Sequence, residues 1–390
     1  MKHNVFLSAP ALVCCSGLNR HELYESCLKG NQSGFSMKEF NGVKYPAGLI
    51  REELPEAVFS RTVYNTNTRI FRIINAALLQ LESDVEKALS MYGAEKIGVC
   101  LGSCDNGSEA SFAVHKALRE NSAFPVDYDL CYQSASFPAE IIAGRFGIKG
   151  PVFTVATACA SGASAIMRAA ELINRGVCGA VIAGGADIVS ETVFSGFQAL
   201  EAISDSLSNP FSKNRKGINL GEGAAFFLLS LKENSCRLLG AGESADAFHM
   251  TAPAPDGAGP VRAMKSALRD AGIDRNQIGY VNLHGTGTEL NDKAEGLAMK
   301  EVFDNVPPAS STKPITGHTL GAAGALEAAI CWMVLTEKRG LPVHCWDSVR
   351  DEEIPFFPDC GAGHYAPSIC MSNSFAFGGC NVSLILGCDK

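Results

Sequence analysis

The sequence has few charged residues and lacks the motifs that bind phosphate, dinucleotides or zinc. Charged side chains make up 19% of its 390 residues, and the formal net charge is −8. Because nucleic-acid surfaces need clustered lysine and arginine, this balance argues against a broad nucleic-acid-binding face. Neither a P-loop, a dinucleotide fingerprint nor a CxxC pair with zinc spacing occurs. We therefore predict no metal ion, no bound cofactor and no nucleic-acid partner.

Long apolar stretches are also missing, since no uninterrupted run reaches the roughly 18 to 20 residues of a membrane helix. The run Val5–Cys15 resembles a short signal peptide, but Ser8 and Pro10 interrupt it and a single lysine precedes it. A first β-strand explains this run better. The fifteen cysteines are not evenly spaced, which predicts small buried residues rather than a disulfide framework. We expect a reduced, cytoplasmic protein without a membrane anchor.

Apolar runs of strand length alternate with helical patterns, which predicts an α/β fold. The predicted strands are Val152–Ala156, Ala180–Ala183, Ala224–Leu231, Gly279–Leu283 and Val382–Leu386. The predicted helices are Thr68–Leu81, Ser161–Asn174, Pro260–Ala271, Asp292–Phe303 and Ala322–Glu337.

A polar break at Lys232–Ser235 suggests two domains, residues 1–233 and 234–390. These halves resemble distant copies of each other. The first half has a strand, a turn with a reactive side chain and a helix that ends in Arg175-Gly176. The second half repeats this order with Ser310–Thr316, Gly317-His318 and a helix that ends in Arg339-Gly340. This pattern predicts an internal duplication.

The first half carries a candidate nucleophile, Cys159. β-Branched and apolar residues from Phe153 lead directly into it, and the small residues from Ala160 to Ala163 open a helix. At a helix N-terminus, unpaired N–H groups and the helix dipole stabilise a thiolate and lower the pKa of a cysteine. The same N–H groups can form part of an oxyanion hole. A buried structural cysteine is the alternative, because the chain has fourteen other cysteines.

The second half carries two histidines at predicted strand ends beside glycines. They are His284 in Tyr280–Thr288 and His318 in Ser311–Gly321, with Lys313 five residues before the latter. A neutral imidazole can donate a hydrogen bond to a developing enolate or oxyanion near neutral pH. A zinc site is the competing interpretation, but a third and fourth ligand at suitable spacing are missing.

Six motifs occur together in the order typical of one family. They are Ala156-Thr-Ala-Cys159-Ala-Ser-Gly, Asn209-Pro-Phe211, Gly221-Glu-Gly223, His284-Gly-Thr-Gly-Thr288, Lys313 with Gly317-His318, and Asn373-Ser-Phe-Ala-Phe377-Gly-Gly379. As a set they resemble the elongating β-ketoacyl-acyl-carrier-protein (ACP) synthases, or ketosynthases, of the thiolase-like superfamily. The resemblance covers almost the whole chain. It implies a five-layered αβαβα fold of two pseudo-duplicated halves, usually a homodimer, which uses no cofactor beyond the phosphopantetheine arm of ACP.

The resemblance also implies catalytic roles in a decarboxylative Claisen condensation with malonyl-ACP. Cys159 would take the acyl group from its donor thioester, and His284 and His318 would stabilise the enolate formed when carbon dioxide leaves. Lys313 would organise the site electrostatically, and Glu327 matches a glutamate that supports Lys313.

Further roles concern binding. The backbone N–H groups of Cys159 and Phe377 would form the oxyanion hole, and Phe377 matches a gatekeeper phenylalanine. Thr286 and Thr288 match residues that contact the phosphopantetheine arm. Phe375, in the same motif as Phe377, is predicted to contact the substrate.

Related enzymes of the superfamily fit less well. A biosynthetic thiolase needs a second catalytic cysteine in a CxGxG context, which Cys380 lacks. An initiating synthase pairs cysteine with histidine and asparagine, whereas the second position here is His318. The alternative from another functional class is a non-catalytic or partner-dependent chain-length subunit of a heterodimeric ketosynthase, and such subunits usually lack the nucleophile. A heterodimer with such a subunit is as compatible with the sequence as a homodimer.

Three departures from the family pattern concern substrate and partner. The polar segment Asp127–Phe137 predicts either a repacked dimer contact or a pocket for an unsaturated, aromatic or oxygenated chain. Cys104 and Asp105 interrupt the early glycine loop. Fewer basic residues than usual are available to contact ACP, because Asn209 occupies a position where arginine is usual. Two arginines, Arg69 and Arg72, could supply part of that patch or lie on a solvated helix face. These departures favour a specialised polyene or polyketide synthase over a general fatty-acid enzyme.

Overall fold

The computed structural model describes residues 4–40, 42–57, 59, 67–105, 107–126, 128–360 and 366–388. Up to residue 233 its strands are β1 (Val5–Leu7), β2 (Ala11–Cys14), β3 (Ser36–Phe40), β4 (Val43–Ala47), β5 (Ile97–Gly102), β6 (Val152–Val155), β7 (Ala180–Asp187) and β8 (Gly223–Ser230). The helices of this part are α1 (Arg20–Lys29), α2 (Arg69–Leu79), α3 (Glu82–Tyr92), α4 (Ser108–Asn121), α5 (Phe137–Phe146), α6 (Ser161–Asn174) and α7 (Glu191–Ala199).

From residue 234 onward the elements are fewer. The strands are β9 (Cys236–Ala245), β10 (Tyr280–Asn282), β11 (Ala309–Ser310), β12 (Ile369–Phe375) and β13 (Cys380–Cys388). The helices are α8 (Ala258–Ala271), α9 (Glu289–Val302), α10 (Lys313–Thr316) and α11 (Ala323–Glu337).

Each strand and helix predicted from the apolar pattern occurs, with small differences at the ends. The run Val5–Cys15 divides at Ser8–Pro10 into β1 and β2. Strand β7 continues past its predicted end at Ala183 to Asp187. Gly184 and Gly185 lie inside this longer strand, where the backbone passes close to neighbouring segments. A Cβ at either position would meet a backbone oxygen of such a segment.

The strand order confirms the predicted duplication. The first half has the order β6-β5-β7-β8-β1, and the second half has the order β11-β10-β12-β13-β9. If only these five strands are counted in each half, leaving out β2, β3 and β4, both orders read third, second, fourth, fifth, first. In both halves the second strand pairs in parallel with the third and the fourth, and the fifth strand is antiparallel to its two neighbours. Strand β1 also pairs with β9 and so joins the two sheets edge to edge.

The layers follow the five-layered αβαβα arrangement. Helices α6 and α11 lie in the middle, and the largest buried apolar cluster surrounds them. Helices α2 and α5 cover the outer face of the first sheet, and α8 and α9 cover that of the second. The domain boundary that we propose between residues 233 and 234 falls in the connection from β8 to β9.

The middle layer contains one helical stretch that is long and apolar enough to cross a membrane by length and composition. It spans Leu320–Glu337, with a mean hydropathy of 1.3, and 89% of it is buried inside the fold. The prediction from uninterrupted apolar runs missed it because Glu327 divides the stretch. Its burial between the two sheets is typical of a core helix.

Candidate active site

Cys159 lies on a strained turn between β6 and α6, as the local sequence predicts. The 3₁₀ turn Ala158–Ala160 leads into the first residue of α6, Ser161. Ala158 has a left-handed φ of 48°, which is unusual for a residue with a side chain. The Ser161 hydroxyl donates to the Ala158 carbonyl at 2.6 Å and accepts from the Thr157 N–H at 2.9 Å. These bonds hold the Cys159 thiol at the start of the helix.

The resting ionisation of Cys159 differs from the expectation. The sequence predicts a lowered pKa, but burial raises the pKa of this thiol to about 12. The charge of Lys313 and the Phe377 N–H, which donates to the sulfur, oppose this shift without cancelling it. The prediction was wrong because desolvation outweighs the helix terminus. Cys159 is therefore a thiol at rest and must lose its proton during attack.

The two predicted histidines converge on this thiol. His318 Nε2 lies 3.1 Å from Cys159 Sγ. The rings of His284 and His318 meet edge to face, with centroids 5.5 Å apart. Burial and the nearby positive charge of Lys313 hold the pKa of both imidazoles well below the usual value. Both histidines are therefore neutral at physiological pH.

Lys313 fixes the orientation of His284. Its ammonium group, only 2% exposed, lies 3.4 Å from His284 Nδ1 and donates to the His284 carbonyl at 2.5 Å. It also forms a short ion pair with Glu327. Because an ammonium group can only donate, Nδ1 of His284 must accept and Nε2 must carry the proton. His284 thus presents a hydrogen-bond donor to the cavity.

Two buried carboxyl groups that hold the site were missed by the sequence analysis. Glu295, on α9, accepts from the N–H groups of His284 and Gly285 at 2.8 and 2.7 Å. Asp187, at the end of β7, accepts from the Gly321 N–H at 2.5 Å and from the Ser103 hydroxyl at 2.9 Å. Burial raises the pKa of Glu295 to about 8 and that of Asp187 to about 7.

The sequence contains a weak indication that Glu295 and Asp187 are buried. Each is an acidic residue inside an otherwise apolar or small-residue pattern, at the end of β7 or within α9. Such a residue is buried only when hydrogen bonds satisfy it. The donors, however, are backbone N–H groups from distant parts of the chain, and the sequence does not reveal them.

The proposed duplication of the reactive turn needs one correction. The counterpart of the turn Ala158–Ala160 in the second half is the 3₁₀ turn Leu320–Ala322 at the start of α11. Cys159 therefore corresponds to Gly321. His318 lies three residues earlier, where its N–H donates to the Asn219 carbonyl at 2.7 Å.

A cavity of about 330 Å³ opens in front of Cys159. Both histidines line it, together with four other predicted site residues: Thr286, Thr288, Phe375 and Phe377. The Thr286 and Thr288 hydroxyls are hydrogen-bonded to each other at 3.0 Å. The mouth also contains Arg215 and Lys216. All predicted site residues except the buried pair Lys313 and Glu327 thus line this cavity, and that pair lies behind His284.

Other candidate residues lie elsewhere. Arg69 does not lie on a free basic face, because it pairs with the buried Glu222. Arg72 donates to Asn67 at 2.8 Å. The Asn209 side chain accepts from the Asp347 N–H at 3.2 Å. Asp127, at the start of the polar segment Asp127–Phe137, and Asn106, in the early glycine loop, lie outside the described residues. Within the described ranges, no group of His, Cys, Asp and Glu could hold a metal ion.

Comparison with known proteins identifies the family. Models for the N-terminal and C-terminal domains of β-ketoacyl synthases match residues 71–234 and 235–344. The chain is 32% identical to 3-oxoacyl-[acyl-carrier-protein] synthase 2 of Vibrio cholerae, over 98% of this chain and 99% of the relative. It is 30% identical to nodulation protein E of Rhizobium sp., over 98% and 99% of the two chains.

Solved structures agree with this assignment. One chain of a ketosynthase (ApeO) in complex with its chain length factor (ApeC) from Xenorhabdus doucetiae is 37% identical, with a TM-score of 0.91. The match covers 99% of this chain and 98% of that one. A β-ketoacyl synthase from Burkholderia phymatum is 28% identical over the full length of both chains, with a TM-score of 0.84. The chain therefore belongs to the β-ketoacyl synthase family, and it is a condensing acyltransferase with the thiolase-like fold.

Proposed function

We propose that this enzyme elongates an acyl group held on Cys159 by decarboxylative condensation with a malonyl group carried by ACP. The observation that carries the proposal is the convergence of one thiol and two neutral imidazoles in one cavity. His318 Nε2 lies 3.1 Å from the sulfur, and His284 meets the His318 ring at right angles. A nucleophile and two hydrogen-bond donors are what this condensation needs from a protein.

In the first step, the Cys159 sulfur attacks the carbonyl carbon of the donor thioester. The C–S bond to the phosphopantetheine thiol breaks, and the proton of Cys159 ends on that departing thiol. His318 Nε2 lies in position to carry this proton when the neutral ring holds its hydrogen on Nδ1, because it contacts the sulfur. The enolate step uses the other neutral tautomer, in which Nε2 holds the hydrogen and donates it. The N–H groups of Cys159 and Phe377 are the proposed donors to the tetrahedral oxyanion.

In the second step, the malonyl group loses carbon dioxide. The electron pair of the broken C–C bond moves onto the thioester as an enolate, whose oxygen accepts hydrogen bonds from His284 and His318. The enolate carbon then attacks the acyl carbonyl, and the bond from that carbon to the Cys159 sulfur breaks. The departing thiolate takes up one proton from solvent, which restores the resting thiol. Lys313 acts as a positioning residue, because it holds His284 with Nε2 as the donor. Burial of both imidazoles strengthens these hydrogen bonds.

ACP is the proposed carrier of both substrates, and its phosphopantetheine arm would enter the cavity past Thr286 and Thr288. The arm is part of that substrate, so we propose no resident cofactor. The two basic residues at the mouth, Arg215 and Lys216, suit an acidic carrier. The Arg215 pair with Asp351 is buried, whereas the Lys216 pair with Asp205 is long and exposed, so Lys216 is the stronger candidate for contact. We place the enzyme in the cytoplasm, where its fifteen cysteines would stay reduced.

We further propose a dimer that forms through the outer edge of the first sheet. Strand β6 is the last strand of that sheet, and no other described strand pairs with its outer side. Unpaired edges invite pairing with another chain. The large apolar side chains Phe112, Phe124 and Leu130 are exposed on the segments near α4. The partner is a second copy or, as the alternative, a chain-length subunit like that in the Xenorhabdus doucetiae complex.

The proposal is tested by incubating the purified enzyme with acyl-ACP thioesters and measuring its intact mass, with Cys159→Ala as the control. We expect an added mass equal to the acyl group, which the variant lacks. Malonyl-ACP added next should release carbon dioxide and remove the adduct. If no donor forms an adduct, even with a chain-length subunit present, the proposed function is wrong. An adduct only in that subunit's presence would establish a heterodimer in which this chain is the active subunit. No adduct on this chain, together with activation of a separate ketosynthase, would establish the alternative that this chain is the chain-length subunit.

A further inference from the structure

Behind Cys159 lie two further chambers, and their linings differ. The first, the acyl chamber, has a volume of about 390 Å³ and begins at Cys159 itself. Its wall is mainly apolar and includes Ala158, Val193, Phe197 and Leu320. The second, the far chamber, has a volume of about 320 Å³ and is lined by residues of α2, α4 and α5 and the loop after β5.

The two chambers meet at the loop after β5. Ser103 lines both, Cys104 faces the acyl chamber, and Asp105 faces the far chamber. This loop is held by Asp187, which accepts from the Ser103 hydroxyl and from the N–H groups of Cys104 and Asp105. The two chambers therefore lie next to each other at Ser103, on either side of this loop.

The far chamber combines aromatic rings with carboxyl groups. Phe137 meets Phe71 and Tyr132 edge to face, with ring centroids 5.6 and 5.5 Å away. Asp105 is 4% exposed, and its Oδ1 accepts from the Ser108 hydroxyl at 2.6 Å. Glu109, on the first turn of α4, is exposed at the rim of the chamber. A simple alkyl end would need only the aromatic part of this lining. Carboxyl groups beside it are unfavourable for an alkyl end, because contact with an apolar group removes their water.

The positive charges near the far chamber are already bound by other groups. The Arg69 guanidinium donates to both carboxylate oxygens of Glu222 and to the Ile50 carbonyl. Lys38 donates to the Val189 carbonyl at 3.1 Å. Desolvation and the neighbouring Asp105 raise the pKa of Glu109, and the charges of Lys38 and Arg69 oppose this shift. The chamber therefore offers hydrogen-bond acceptors to a ligand and repels an anionic one.

We propose that the far chamber receives the end of the acyl chain, and that Asp105 and Glu109 select chains whose far end carries a hydroxyl or similar donor. This inference rests on the proposed function, because it needs an acyl group on Cys159. It adds a substrate class, an acyl chain with an uncharged polar end. A hydrogen bond to a charged acceptor is about twice as strong as a neutral one, so the preference should be large.

The test uses ACP thioesters in sets of equal chain length whose far ends are methyl, hydroxyl or carboxylate. Loading rates on Cys159 are measured by intact mass in the purified full chain. At the length that fills the chamber, we expect the hydroxyl chain to load about tenfold faster than the methyl chain. The carboxylate chain should load slowest. Glu109→Leu should bring the hydroxyl-to-methyl ratio toward one.

Glu120→Gln is the matched control, because this glutamate lies near the other end of α4 and does not line the chamber. It should keep the wild-type ratio. Glu109→Gln, which keeps the side-chain size, should lower the ratio and guards against misfolding of the leucine variant. Equal loading of hydroxyl and methyl chains, or an unchanged ratio in both Glu109 variants, would overturn this inference alone. Absence of every adduct would overturn the proposed function together with it.

Discussion

The two halves of the molecule contain the same turn but use it differently. In the first half, β6 leads through Ala158–Ala160 into α6, and in the second, Leu320–Ala322 leads into α11. The first residue of each turn has a left-handed φ, 48° at Ala158 and 52° at Leu320. A strained backbone is thus present in both halves, but only one of them carries a nucleophile.

The difference comes from what each turn contacts. A side chain at Gly321 would meet Asp187 Oδ2 at 2.5 Å and the backbone of Ser103 and Cys104 at 2.8 and 2.9 Å. The second turn is therefore closed by the first half, whereas Cys159 faces the cavity. The second half instead contributes imidazoles from the segments before its turn and after β10. The duplicated halves thus contain two turns of similar backbone conformation. The packing of each turn against the other half determines which of them has room for a reactive side chain.

The largest expected effect concerns the ion pair that only the second half contains. Glu327→Gln would leave the Lys313 charge buried without its partner, which should lower the free energy of unfolding by about 3–5 kcal/mol. Urea denaturation measures this change. Glu301→Gln breaks the exposed pair with Lys265 and should change stability by about 1 kcal/mol or less. Equal stability of Glu327→Gln and wild type would show that Lys313 needs no counter-charge.

The next effect separates the two histidines of the second half. His284→Ala and His318→Ala should each lower the condensation rate by about 10²–10³, since each removes one donor to the enolate. Only His318→Ala should also slow acyl loading of Cys159, because only His318 contacts the sulfur. Loading by intact mass and release of carbon dioxide measure the two steps. The exposed His115→Ala is the control, and near wild-type condensation in either variant would refute that histidine's role.

A smaller effect tests why the second turn lacks a side chain. Gly321→Ala should lower the free energy of unfolding by about 1–3 kcal/mol, since its Cβ meets the Asp187 carboxylate and backbone atoms. Gly144→Ala is the matched control, because a Cβ there meets nothing within 4 Å. As an alanine in helix α5, it should stabilise by about 0.5–1 kcal/mol. A stable Gly321→Ala variant would mean that packing does not explain the asymmetry.

The smallest effect is a pH dependence of stability. The pKa of Glu295 is about 8 in the fold against 4.5 ordinarily, and that of Asp187 is about 7 against 3.8. At a pH between the ordinary pKa and the raised pKa of each group, the folded state therefore binds more protons than the unfolded state. Stability should fall as pH rises from 6.5 to 8, by at most about 1.4 kcal/mol per pH unit for each group.

Chemical denaturation across this pH range measures the slope. Glu295→Gln should reduce it, because the amide does not titrate. The comparison is made above pH 6.5, where the buried neutral histidines contribute little. A variant slope equal to that of the wild type would show that Glu295 is ionised throughout.

Local features of this fold could be predicted from sequence, but contacts between distant segments could not. The ends of α6 were predicted at Ser161 and Asn174, because a strand, a small-residue turn and a helical pattern adjoin there. The convergence of Cys159 with His284 and His318 followed from the family resemblance. The raised pKa of Cys159 could not be predicted, because it depends on burial by both halves.

The partner of Arg69 was also beyond the sequence. Glu222 lies far along the chain, and only the packing of α2 over β8 brings the two together. The polar segment near Tyr132 was predicted as either a dimer contact or a pocket wall. Tyr132 lines the far chamber, which supports the second interpretation without excluding the first.

The pairing of β1 has a consequence for how the chain is made. Phe6 lies opposite Ser230 of β8 and Arg237 of β9, so one short strand waits for partners more than two hundred residues later. At about 5–20 residues per second, a ribosome takes roughly 10 to 50 seconds to make that interval. During this time an apolar strand has no native partner, and such exposed edges are prone to aggregation. The strand that unites the two halves also makes the nascent chain a natural client for a chaperone.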